Sequence, residues 1–326
     1  DKNRRDILGR IRSVFLSRSV REIGQGAFKN CSRLEYVLVP GTCEKIGDRT
    51  FSGCSAMTGV TLPQKIERIG NGLFFGCKAL ENIELPEEVT EIGDLAFSGC
   101  EHITYIQMPE GVKKIGRKAF SGCRYLMYIS FPDSLEDVGQ DAFRNAMWYT
   151  GRPDGVIYAG RCAVGYKGKN REVTISDRCV SISPGAFTNN EWISSVTVPE
   201  GVRRIGAEAF WNCSRLGSVK LPETLEDMGD HSFAGCRMLK EINIPKGLKK
   251  INEFAFSGCI VLGSVELPED LEVIERDAFR ACQNFHSIIL PPHLKRIDDE
   301  AFAGCENLGE IIIPDSVEEI DERAFA

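Results

Sequence analysis

Residues 112–132 read VKKIGRKAFSGCRYLMYISFP, and this stretch decides the fold. Its landmarks are Val112, Ile115, Gly116, Ala119, Phe120, Cys123, Leu126, Ile129, Phe131 and Pro132, and they return at one fixed period in either direction. The period is the step along the Phe column: Phe stands at 28, 51, 74, 97, 120 and 143, and again at 187, 210, 233, 256, 279, 302 and 325. The one irregular step, from Phe143 to Phe187, is just short of two periods. A fixed period of this length marks a solenoid, in which a unit too small to bury its own apolar face stacks on copies of itself. One elongated core over residues 1–326 is therefore expected, in place of the two globular domains that this length would otherwise imply.

Within a coil, Leu126-x-x-Ile129-x-Phe131 reads as a strand with Ile129 and Phe131 turned inward and Tyr128 and Ser130 outward. Pro132 ends it, having no N–H for the ladder. A second short extended stretch, Val112-x-x-Ile115, precedes a glycine suited to a tight bend. Ala119-Phe120-x-Gly122-Cys123 is long enough for a single 3₁₀ turn. The fold class is thus an α/β-type repeat of mostly strand and coil. It has one parallel strand per 23-residue coil, short extended or 3₁₀ segments opposite, and about thirteen coils, spanning roughly 60 Å. Leu8, Ile11, Val14 and Leu16 already keep the frame, and the chain stops one residue past Phe325. A segment of a longer chain is the expectation.

Charge follows the same period. Lys113 and Lys114 face Glu136 and Asp137 one coil on; Arg203 and Arg204 face Glu226 and Asp227, which face Lys249 and Lys250; Lys295 and Arg296 face Glu318 and Glu319. Opposite charges on adjacent parallel strands favour the pairing, so these basic pairs read as a neutralised wall rather than a phosphate site. The net charge of −7 and pI near 5.4 argue against a nucleic-acid binder, which needs a basic stripe. No apolar run reaches membrane-spanning length, and DKNRRDILGRIRS has no signal-peptide core.

Ten of the 13 cysteines (31, 54, 77, 100, 123, 213, 236, 259, 282 and 305) stand three residues after a ladder Phe, while Cys43 and Cys179 occupy the Val112 column. These are inward slots, filled by cysteine as a small hydrophobe. In-register Cβ vectors point the same way, which makes a disulfide dihedral awkward. Free buried thiols are expected, consistent with a reducing compartment or with secretion in an anaerobic setting. Only Cys162 lies off the repeat.

The period breaks at 144–176. Ala146 fills the cysteine slot, Trp148 and Tyr149 stand where a strand is due, and the next strand waits until Val173-x-Ile175, with Ser176 in the proline slot. Residues 149–171 between them read as an inserted β-hairpin, Val156–Tyr158 against Cys162–Tyr166, projecting between coils 6 and 7. Function tends to sit on such excursions from a rigid scaffold.

The motif Ile-Gly-x-x-Ala-Phe-x-Gly-Cys-x-x-Leu-x-x-Ile-x-Leu-Pro, carried nearly letter for letter by residues 92–109 and 115–132, resembles the BspA-type leucine-rich repeat (LRR) family. The inserted DGVIYAGRCAVGYKG also looks like an element those proteins place mid-array. The resemblance covers roughly residues 8–326, and Ala146 and Ser176 depart from it. It implies an LRR solenoid from a secreted or cell-surface protein of a host-associated bacterium, of adhesin type, binding matrix proteins, host receptors or other microbes. It supplies no catalytic residues.

The residues themselves point away from an enzyme, a metal or a cofactor. The four histidines (102, 231, 286 and 293) fall in four different columns, and no phosphate loop, nucleophile elbow or zinc spacing occurs. Asn30-Cys31-Ser32 and Asn212-Cys213-Ser214 match a glycosylation sequon as by-products of the repeat. A carbohydrate-active enzyme would need Glu241 and Glu266, diagonal across Asn243, to converge. The stronger signal is aromatic. Outward strand positions hold Tyr36, Tyr105 and Tyr128, and a second column holds His102, Tyr125, Trp148 and Trp192. Tyr and Trp combine contact area with a hydrogen bond at low entropic cost. With Tyr158 and Tyr166 on the hairpin, Tyr36, Tyr105, Tyr125, Tyr128, Trp148 and Trp192 are the candidate binding residues for a protein or glycan partner. The competing expectation is that Tyr125, Trp148 and Trp192 only pack beneath the hairpin. A spacer role in a longer surface protein is the alternative function.

Overall fold

The computed structural model describes residues 10–326; Leu8, expected in a cysteine slot, lies outside them. The chain forms two compact units, one ending at Pro153 and the other spanning Asp154–Ala326. Each is a parallel-strand solenoid whose coils keep the period of the Phe column. In the first unit the strands Ser13–Phe15, Tyr36–Leu38 and Gly59–Thr61 pair in parallel with partners one period apart, as do Tyr105–Gln107 and Tyr128–Ser130. In the second, Glu172–Thr174, Ser195–Thr197, Ser218–Lys220 and Glu241–Ile242 do the same. Strand side chains alternate as expected: Tyr105 and Gln107 are exposed around buried Ile106. Residues 82–84 form no strand. Asn82 and Glu84, which flank Ile83 there, are poor strand formers.

The Phe column is a continuous stack within each unit. Phe97 and Phe120 lie 5.2 Å apart at 7°, and Phe210 and Phe233 5.1 Å apart at 5°. Burying such rings supplies much of the driving force, with truncation of one costing about 3–5 kcal/mol.

Three columns differ from expectation. First, the Ala-Phe-x-Gly-Cys segment is a run of turns rather than a 3₁₀ helix. The N–H groups of Lys118, Phe120 and Gly122 donate to carbonyls of the next coil, whereas those of Ala119, Ser121 and Cys123 donate back three residues. Left-handed residues at Lys118 and Gly122 (φ 55° and 74°) set this alternation, at a steric cost for Lys118 that glycine avoids. Second, Gly116 does not serve a tight bend through positive φ. A Cβ there would sit 2.5 Å from the Asp94 backbone N, so this glycine permits coil-to-coil approach. Where the same column turns to Asn252, the side sheet ending at Asp227–Met228 stops and another begins at Lys250–Ile251. Third, the cysteine column does more than fill space. Cys77, Cys100 and Cys123 each lie 3.1 Å from the carbonyl of the preceding coil's Phe, to which the thiol donates. All 13 cysteines are free, and all but the half-buried Cys305 are buried.

The charged wall is paired across coils. Asp137 lies in register with Lys114, and Arg204 with Asp227. Direct ion pairs join Arg203 to Glu226 at 2.5 Å and Lys295 to Glu272 at 2.6 Å. These groups are exposed, so each pair adds only ~0–1 kcal/mol.

The insertion differs from the expected projection. Gly155–Ala159 and Cys162–Lys167 do pair antiparallel, but Cys162 and Ala163 then pair in parallel with Ser181 and Ile182. The hairpin is therefore the opening of the second unit's side sheet. Tyr166 stacks on Phe187 at 5.7 Å and stands one full period after Phe143. It is the rung hidden in the long step from Phe143 to Phe187. Nor does a strand start at Trp148: Met147–Thr150 is one turn of α-helix following extended Ala146.

Candidate functional site

Strand alternation and parallel register bring Tyr105 and Tyr128 side by side on the outward face of the first unit. Their residues are 49% and 66% exposed. The Tyr105 hydroxyl donates to Gln107 Oε1 at 3.0 Å, which fixes where the ring is presented. Nearby, Tyr125 stacks on His102 at 5.7 Å and 2° and is also exposed. Met127, between the two tyrosines in sequence, is exposed as well. Sequence reasoning passed over it because it falls outside both aromatic columns. Tyr36 is an outward residue of a separate three-stranded sheet; its hydroxyl bonds Thr61 Oγ1 at 2.8 Å, and a Cβ at Gly59 would be 3.6 Å from its ring.

Of the remaining candidates, Trp148 is buried and Tyr158, Tyr166 and Trp192 belong to the second unit. The Trp148 ring lies 4.8 Å from Phe143 and 5.1 Å from Phe131, with the Arg152 guanidinium 4.5 Å above it. Its helix turns the indole into the core. Tyr158 accepts the Ser176 backbone N–H at 2.8 Å, and Tyr166 is the ladder rung described above. Burial raises the phenol pKa of both. Trp192 is exposed in the second unit, with Lys169 Nζ 5.0 Å from its centroid. The His102–Trp192 column thus divides into an exposed pair, a core residue and a residue of the other unit.

Glu241 and Glu266 share no groove: the one that Glu266 lines also holds Glu223, Lys246 and Glu269, without Glu241. Asn243, expected between the two, spends its amide on the Leu221 backbone, accepting its N–H and donating to its carbonyl, both at 2.9 Å. Among the described residues no three His, Cys, Asp or Glu side chains form a metal-holding group. No helix among them is long and apolar enough to cross a membrane.

Known proteins place this geometry. A leucine-rich repeat protein from Eubacterium ventriosum is similar in fold, with a TM-score of 0.52 and 23% identity over 99% of this chain and 83% of that one. A leucine rich cell surface protein from Faecalibacterium prausnitzii aligns with a TM-score of 0.42 and 24% identity, over 95% of this chain and 87% of its own. A leucine-rich repeat protein of T. pallidum is 32% identical over 49% of this chain and 77% of its own, with a TM-score of 0.48. No curated protein matches by sequence. The model of the BspA type leucine rich repeat region matches in six copies, over residues 21–150, 113–239 and 204–326. The chain belongs to the BspA-type leucine-rich repeat family.

Proposed function

We propose that the chain is a non-catalytic binding module of a secreted or cell-surface protein, and that it holds a protein or glycan partner on the strand face bearing Tyr105 and Tyr128. The observation that carries this reading is the pairing of two exposed tyrosines in register on a rigid sheet. Exposed Tyr125 and Met127 extend the apolar area. Anchors of this type on an ordered scaffold lose little entropy on binding. The hairpin tyrosines are left out of the site because the second unit's own packing occupies them.

The test is to present the whole chain to arrays of glycans and extracellular host proteins, beside the Tyr105→Ala/Tyr128→Ala variant. Retention by the wild type and release by the variant, at an unchanged melting temperature, supports the reading. Equal retention by both counts against this face.

A further inference from the structure

The missing strand at 82–84 opens a groove of about 580 Å³ on the first unit, bounded by Gln64 on one side and by Tyr105 and Gln107 on the other. Its walls carry the carboxylates of Glu84, Glu87 and Glu110, and no Lys, Arg or His lines it. Several other acids of the unit are matched across coils: Glu22 with Lys45, Glu91 with Arg68, Glu101 with Lys78. Among the described residues, Glu84, Glu87 and Glu110 have no ion-pair partner. The corresponding groove of the second unit is also acidic, with Glu223, Glu266, Glu269 and Asp270, but a cation stands among them: Lys246 follows its proline as Glu87 follows Pro86, and Asp270 is paired with Lys249.

We propose that the occupant of the first unit's groove is an extended basic segment of a partner protein, presenting Lys or Arg side chains to Glu84, Glu87 and Glu110. This deepens the strand-face reading above and rests on it. Three uncompensated carboxylates in one groove repel each other, and a cationic side chain relieves that repulsion while an anionic sugar or acidic peptide adds to it. The exposed Tyr105 ring at the rim offers a cation a π face. The amides of Gln64 and Asn82 can bond an extended backbone, and the absent strand leaves it room. A neutral glycan would use the ring and the amides but leave the carboxylates unopposed, so charge favours the peptide.

The experiment measures binding of a labelled nonapeptide of alternating Lys and Ser to the whole chain, at low and at physiological salt, with an N-acetylglucosamine trimer as competitor. Four proteins are compared: wild type, E84Q/E87Q/E110Q, a control with the same charge change in the second unit (E241Q/E310Q/D315N), and Tyr105→Ala/Tyr128→Ala. The expected result is salt-sensitive binding that weakens about tenfold in the groove variant and in the tyrosine variant, and less than twofold in the control. Equal weakening in the groove and control variants would show bulk charge attraction and overturn the proposal. So would peptide binding unchanged in the groove variant. If the trimer binds in a tyrosine-dependent way and the peptide does not, the basic segment is overturned while the strand-face reading stands. If the tyrosine variant matches wild type toward every probe, both fall.

Discussion

The ring of Tyr166 stacks on that of Phe187, with centroids 5.7 Å apart and planes 29° from parallel, so the second unit's aromatic ladder begins inside the hairpin. Tyr166→Phe is expected to leave stability within about 0.5 kcal/mol of wild type, since the stacked surface is kept. Tyr166→Ala removes a half-buried ring and should lower the stability of the second unit by about 2–3 kcal/mol. Denaturant unfolding followed by hydrogen exchange over residues 155–190 checks this, because it reports the second unit separately.

The glycine column gives a paired prediction. A Cβ at Gly116 would meet the backbone N of Asp94 at 2.5 Å, whereas one at Gly24 meets nothing within 4 Å. Gly116→Ala should cost about 2–4 kcal/mol through overpacking against backbone that cannot yield. Gly24→Ala should fall within about 0.5 kcal/mol of neutral. Melting temperatures of the two variants decide it.

The cysteine column predicts sensitivity to alkali. Burial raises the thiol pKa to about 12 at Cys54, Cys123 and Cys213 and to about 11 at Cys305. These folded values lie above the unfolded one near 8.5, so between them the folded state binds more protons. The stability contribution is full below the unfolded pKa and is lost as pH rises through the folded one, at ~1.4 kcal/mol per pH unit for each thiol. Melting temperature should fall steeply above pH ~9. The slope should flatten in Cys54→Ala/Cys123→Ala, which removes two of the titrating groups.

The same burial makes the thiols slow to react, since the thiolate is the nucleophile. A thiol reagent at neutral pH should label native protein far more slowly than denatured protein, which should show all 13 thiols. Among native sites Cys305, the one that is only half-buried, should react first. Mass spectrometry of labelled peptides reads both outcomes.

The scaffold was legible in the sequence because its physics is periodic. Phe120, Cys123, Leu126 and Ile115 each recur at a fixed spacing within their own column, and burial follows from column membership. The left-handed backbone at Lys118 was not legible, because φ is set by hydrogen bonds to the next coil rather than by residue type. Tyr166 escaped for a similar reason. It stands a full period after Phe143 but slightly less than one before Phe187, so it joins the ladder only once the hairpin turn absorbs the shortfall. Outward phase found Tyr105 and Tyr128, but column position could not separate Trp148 from Tyr125. The helix that turns Trp148 inward comes from the local chain path at Ala146. The groove at 82–84 arises from a strand that fails to form, which a repeat pattern does not announce.

The central claim is that Tyr105 and Tyr128 form the contact surface, and tyrosine nitration read by mass spectrometry tests it most directly. In the free protein Tyr105, Tyr125 and Tyr128, the most exposed tyrosines, should nitrate fastest, and Tyr158 and Tyr166, held in the second unit's packing, should resist. Adding a partner selected on the arrays should protect Tyr105 and Tyr128 at least several-fold while leaving exposed Tyr36 reactive. Equal nitration of Tyr105 and Tyr128 with and without the bound partner would contradict the account.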